Sequence, residues 1–253
     1  MRIWYQSFTD PVLQAPYMDR LRARLSALAA PGTTVEVHGL SPALRHFHAV
    51  SEFRCAALCL KNALRAEAEG YDAFVLGHFQ EPGLTELRGA VDIPVVSLGE
   101  ACMLQACSMG RTVGLVTVDP VFIPWHEEQI RRHGLEHRVR GVTAITADLP
   151  RFTRAFEDPA EYAAVRADFV EQVKPLVARG IEVLIPAGGV LMLLLAQEQP
   201  LVVDGALVQE GIATVLKAAE MAVALHRATG ACISRSGAYA KAPQGAIEDF
   251  LKA

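Results

Sequence analysis

The chain has 253 residues, 51% of them apolar, and a formal net charge of -4. That is enough apolar sequence for one large α/β domain or two small ones, which sets intrinsic disorder aside. The dispersed lysines and arginines and the acidic balance give no electrostatic footprint for nucleic acid.

Met1-Arg2-Ile3-Trp4-Tyr5-Gln6 enters strand-like sequence directly, with no apolar leader, and the longest apolar stretches fall short of a membrane span. A cytoplasmic protein without a membrane partner is expected. β-rich runs lie near 2–6, 33–38, 72–77, 93–97, 112–117, 139–145, 181–186 and 201–203. Between them Leu21, Leu25 and Leu28 keep a helical period, as do Phe53, Ala57, Leu60 and Leu64, and Phe169, Val173, Leu176 and Val177. After Val203-Asp204-Gly205 the pattern predicts a long helix over 206–229, then a polar tail with a last helix at 246–252.

This alternation predicts an α/β protein of two pseudo-symmetric lobes, each a mostly parallel sheet of about four strands flanked by helices, with the active site in the cleft between them. The first lobe takes residues 1–98 plus about 205–253, and the second takes 99–204. The five cysteines (Cys55, Cys59, Cys102, Cys107 and Cys232) form no CxxC pair and read as small buried residues.

One strand-to-turn signature occurs twice, at Tyr71-Asp72-Ala73-Phe74-Val75-Leu76-Gly77-His78-Phe79 and at Ile181-Glu182-Val183-Leu184-Ile185-Pro186-Ala187-Gly188-Gly189. Ligands of parallel sheets collect beyond the carboxyl ends of strands, so both turns are candidate sites. The first supplies the imidazole of His78, an acid, base or metal ligand presented by the turn that Pro82-Gly83 continues. The second supplies a methyl group; the amides of Ala187, Gly188 and Gly189 would either cradle an anion or serve close packing. His46 and His48 with His78 would make an open three-imidazole site for a divalent metal such as zinc, or His46 and His48 are ordinary surface residues. Glu81, Glu100 and His126 would complete such a site if their loops fold inward. His133 and His137, separated by Gly134, read as surface.

Gly77-His78-Phe79-Gln80-Glu81-Pro82-Gly83-Leu84 resembles the Gly-Cys-Phe-x-Asp-Pro-Gly-Leu turn of hydantoin racemases, and Pro94-Val95-Val96-Ser97-Leu98-Gly99-Glu100-Ala101 resembles their Gly-Glu-Ala segment. Val113-Gly114-Leu115-Val116-Thr117 and Val202-Val203-Asp204-Gly205 match further landmarks, so nearly the whole chain is similar to the aspartate/glutamate/hydantoin racemase superfamily. That superfamily also holds maleate isomerase and arylmalonate decarboxylase. The resemblance implies no organic cofactor, a homo-oligomer, and a small-molecule substrate bearing a carboxylate or a cyclic ureide. It also implies one catalytic cysteine on each lobe, and here the sequence departs: His78 stands at the first position, and Ala187, within Ile185-Pro186-Ala187-Gly188-Gly189-Val190, stands where the pattern is Leu-Gly-Cys-x-Gly-Met. Gln6, Ser7 and Thr9 occupy the region of the family's Asn-Pro-Asn-Thr/Ser substrate turn, Thr117 its second-lobe hydroxyl position, and Phe79 and Glu81 the turn that follows the first cysteine.

An alanine transfers no proton, which removes the symmetric two-base mechanism. Three readings stay open: His78-centred acid/base or metal-assisted hydrolysis of a hydantoin-like or thiohydantoin-like ring bearing a carboxylate; one-base isomerisation or racemisation; and non-catalytic binding of a small acid.

Overall fold

The computed structural model describes residues 1–42, 44, 46–145 and 149–252. Strands β1 (Arg2–Gln6), β2 (Thr34–His38), β3 (Ala73–Leu76) and β4 (Val95–Ser97) form a parallel sheet in the order β2-β1-β3-β4. Parallel neighbours need long return connections. Helices α1 (Ala15–Leu28), α2 (Ala49–Ala68) and α3 (Leu84–Ala90) supply them. Helix α4 (Leu98–Met109) leads to the second sheet, built from β5 (Val113–Thr117), β6 (Val139–Ala144), β7 (Val183–Ala187), β8 (Leu201–Val203) and β9 (Ala206–Val208) in the order β6-β5-β7-β9-β8. It is flanked by α5 (Ile123–Arg132), α6 (Leu149–Arg154), α7 (Pro159–Ala178) and α8 (Gly189–Leu195). The chain ends in α9 (Gly211–Thr229) and α10 (Gln244–Lys252).

Strands β3, β5 and β7 are buried along their whole length, as expected for central parallel strands covered on both faces. Their near-continuous apolar sequence follows from that burial. The two sheets share one strand order, β2-β1-β3-β4 against β6-β5-β7-β9, with β8 added as an antiparallel edge. The expected helix over 206–229 is therefore corrected. Ala206–Val208 forms β9, turned back from β8 through Asp204 and Gly205 at φ 47 and 90, and the helix begins at Gly211. Because β9 lies in the second sheet, the expected boundary near 205 passes through a hairpin. Beyond it α9 returns to pack on β3, β4, α1 and α4.

Helix α2 is turned differently from its expected stripe. Phe53 is 79% exposed, and the buried face carries Glu52, Cys55, Cys59, Ala63 and Ala66. Those small side chains let the helix approach the first sheet closely, and they bring a carboxylate with them. Cys55, Cys59 and Cys102 are buried, whereas Cys107 is half-buried and Cys232 is exposed on the tail. Burial pushes the thiols of Cys55, Cys59 and Cys102 upward, so they stay protonated.

Candidate active site

A cavity of about 360 Å³ opens where the carboxyl ends of β1, β3, β5 and β7 face one another. From the first sheet come Ser7, Phe8 and Thr9 after β1, then Gly77, His78 and Gln80 after β3. Asp10, Leu13, Gln14 and Tyr17, leading into α1, and Leu44 and Phe47, before α2, close that side. The second sheet contributes Val118 and Phe122 after β5, and Gly188, Gly189 and Val190 after β7. No lysine or arginine is among the described lining residues.

His78 is placed by three contacts. A Cβ on the preceding Gly77 would stand 2.3 Å from the Tyr5 ring and 2.8 Å from the Gln6 carbonyl, so glycine is required for the chain to pass β1 at this point. The imidazole stacks on Phe8 at 4.2 Å between centroids and 7° between planes. Its Nε2 lies 3.0 Å from Oε1 of Glu52, a nearly buried carboxylate on α2. The imidazole keeps 15% of its surface accessible.

The remaining polar groups are neutral donors and acceptors, Asp10 apart. Ser7 Oγ and Thr9 Oγ1 share a 2.8 Å hydrogen bond. The Tyr17 phenol is bonded to Ser7, and burial pushes it up to about 12, so it remains a protonated donor. Gln14 Oε1 is buried without a hydrogen-bond partner among the described residues. Asp10 caps its own turn, its Oδ1 accepting from the Val12 and Leu13 amides.

Several expected site residues serve the framework. Gln6 is fully buried: its Nε2 donates to the carbonyls of Ser7, His38 and Gly39, and its Oε1 accepts from Trp4 and Asn62. Phe79 is buried with its ring edge-on to His126 at 5.3 Å. Glu81, also buried, bonds to Ser97, to the Glu100 amide, to His133 at 2.7 Å and to Arg132 at 3.2 Å. Burial raises its carboxyl, but the bonds from His133, Ser97 and Gln129 outweigh that and hold it below its ordinary value. His133, expected at the surface, is thus an anchor between lobes. Thr117 is fully buried, with its Oγ1 3.1 Å from His126 Nε2. His126 Nδ1 meets Gln129 Oε1 at 3.0 Å, and Gln129 donates to the Phe79 carbonyl at 2.6 Å.

On the second turn Ala187 is buried in β7 and does not line the cavity; Gly188 and Gly189 do. The expected amide cradle is incomplete, because the Gly188 N–H is bonded to the Pro186 carbonyl at 3.0 Å. The expected zinc site is not supported. His46 is exposed, and His48 is exposed with its Nδ1 capping α2 through the Val50 amide at 3.2 Å. Among the described residues no group of three or more histidine, cysteine or acidic side chains is placed to hold a metal. Glu52 escaped the sequence reading; its signal was an acidic residue in step with Cys55, Cys59 and Ala63.

These features define a two-lobed α/β protein whose pocket lies between opposed strand ends. The model of the family described as Asp/Glu/Hydantoin racemase matches residues 15–224, and the chain belongs to that family. Among curated proteins it is 34% identical over 86 residues to a hydantoin racemase of Rhizobium meliloti and 30% identical over 90 residues to one of Pseudomonas sp. (strain NS671). Those matches cover 34% and 36% of this chain, and the chain spans about a third of each relative, 35% and 36%. Among solved structures, allantoin racemase from Klebsiella pneumoniae superposes with a TM-score of 0.77 at 22% identity, covering 96% of this chain and 94% of that one. Glutamate racemase RacE1 from Bacillus anthracis gives 0.63 at 14%, covering 90% and 82%. Both share the fold. No described helix is long and apolar enough to cross a membrane.

Proposed function

We propose that the protein is an enzyme that removes and returns a proton next to a carbonyl of a small, uncharged cyclic ureide of the hydantoin type, with His78 as its one acid/base group. The observation that carries this reading is the asymmetry of the cavity. His78 reaches it from the first lobe, whereas the second lobe offers Val118, Phe122, Gly188, Gly189 and Val190, none of which has a side chain that transfers a proton. The family's racemase chemistry and the hydantoin racemases among its relatives support the substrate class.

The hydroxyl of Tyr17 is a donor suited to the ring oxygen on which charge develops as the proton leaves. The unpartnered Gln14 Oε1 is an acceptor suited to a ring N–H. Phe8, Leu13, Phe47 and Phe122 favour an apolar ring substituent over the expected carboxylate, which finds no lysine or arginine among the described lining residues. With one base, the proton returns to the face it left unless the ring turns over. Exchange with solvent then outruns inversion.

A second reading follows from the inert second wall: His78 would instead activate water to open the ring. Incubating purified protein with hydantoins carrying apolar or carboxylate substituents in heavy water separates the readings. Deuterium at the ring carbon with the ring intact, faster for apolar substituents and absent in His78→Ala, is expected. Ring opening supports hydrolysis, and thermal stabilisation without conversion would mean binding alone.

A further inference from the structure

We infer that Glu52 is the positioning residue that fixes the tautomer of His78, and so decides which ring nitrogen meets the substrate. The inference rests on the reading of His78 as the acid/base group. Glu52 lies in the first turn of α2, on the face turned toward the first sheet. The helix amino terminus there favours negative charge on it.

A carboxylate only accepts hydrogen bonds, so the 3.0 Å contact from Oε1 makes His78 Nε2 the N–H and leaves the lone pair on Nδ1. Nδ1 makes no hydrogen bond among the described residues, and His78 lines the cavity. Phe8, stacked at 7°, holds the ring plane. A half-turn of the ring about Cβ–Cγ would put ring carbons where the nitrogens stand and break the contact with Glu52, so the carboxylate holds this orientation together with the Nε2–H tautomer.

Glu52 does little for the core. Its Oε2 is buried without a partner, and the contact with His78 is the one side-chain hydrogen bond it makes among the described residues. Burying an unsatisfied carboxylate oxygen costs stability. A leucine on this stripe would pack without that cost, so the carboxylate is explained by the imidazole it faces.

The test is long-range ¹H–¹⁵N NMR of ¹⁵N-histidine-labelled full-length protein, read beside exchange kinetics on an apolar-substituted hydantoin. Wild-type neutral His78 is expected as the Nε2–H tautomer. Glu52→Leu should mix the tautomers and lower kcat at least about tenfold with KM within about twofold, as orienting carboxylates of catalytic histidines do. Glu52→Gln keeps the shape but adds an N–H that can pair with a bare Nε2, so it should also release the Nε2–H tautomer and should not restore kcat. An Nδ1–H tautomer in the wild type overturns the inference, as does Glu52→Leu with both tautomer and kcat unchanged. The NMR measurement needs no turnover, so it judges Glu52 even if no hydantoin is a substrate. If His78→Ala loses exchange while Glu52→Leu keeps rate and tautomer, this inference fails and the active-site reading stands.

Discussion

His78 and His126 both lie beyond the strand ends, one in each lobe, and their surroundings assign them different work. His78 keeps a face in the cavity, is stacked on Phe8 and has a carboxylate at its back. His126 is fully buried, tied to Thr117 and Gln129, and burial holds its imidazole down at about 4. The nearby His78 charge pushes the same way, against the bond to Gln129. On our proposal the first imidazole exchanges protons with a ligand in the cavity it lines. The other is a neutral brace linking β5, α5 and the Phe79 carbonyl behind the cavity.

Removing each histidine should therefore damage a different property. His78→Ala should lower ring-carbon exchange by roughly 10²- to 10⁴-fold and, when made together with Glu52→Leu so that no buried carboxylate is left without its partner, should change the melting temperature little, checked by NMR kinetics and calorimetry. A melting temperature that fell with activity in that double variant would erase the contrast. The second expected effect belongs to His126. Its ordinary value of 6.5 applies in the unfolded chain and about 4 in the folded one, so between them the unfolded chain binds a proton that the folded protein does not. Stability therefore falls as pH drops from neutrality toward 4, by on the order of 3 kcal/mol. Glu81, held below its ordinary value, adds a loss of the same sign at lower pH, as its folded form is protonated. Urea titrations from pH 7 to 4.5 should show the slope, and His126→Asn should flatten it.

A smaller effect is expected from Gly189→Ala, whose Cβ would stand 3.0 Å from the Tyr17 hydroxyl. Crowding this packed wall should cost about 1 kcal/mol of ligand binding or stability, read as a raised KM or a lowered melting temperature. Phe8→Leu keeps the cavity apolar and removes the stack on His78. It should lower kcat only a few-fold, in line with the ~1 kcal/mol typical of a ring pair, and a larger loss would mean that Phe8 touches the substrate.

Much of the architecture was legible: burial on both faces leaves near-continuous apolar sequence in β3, β5 and β7, and β1 to β8 all fall where the β-rich runs lie, including the less buried β2 and β6. Strand β9 was missed although Asp204-Gly205 between short apolar runs is a hairpin signal; three residues merged into the helix pattern that follows. His78 was visible as a reactive side chain at a strand end. Its partner was not, since contact between positions 52 and 78 depends on which face of α2 meets the sheet, and large Phe53 looked more like a core residue than Cys55 does. Glu81 and Gln6 were misplaced for a related reason: polar residues beside a site look like ligand contacts until their partners, His133, Ser97, Asn62 and three carbonyls, are brought together by the fold.

The asymmetry of the two walls is tested most directly by following one enantiomer of an apolar-substituted hydantoin in heavy water and measuring deuterium in the molecules that have not inverted. One-sided chemistry at His78 predicts deuterium accumulating in the uninverted enantiomer faster than the opposite enantiomer forms. Deuterium confined to the inverted product, with the starting enantiomer unlabelled, would mean that a second group protonates from the opposite face and would contradict the account.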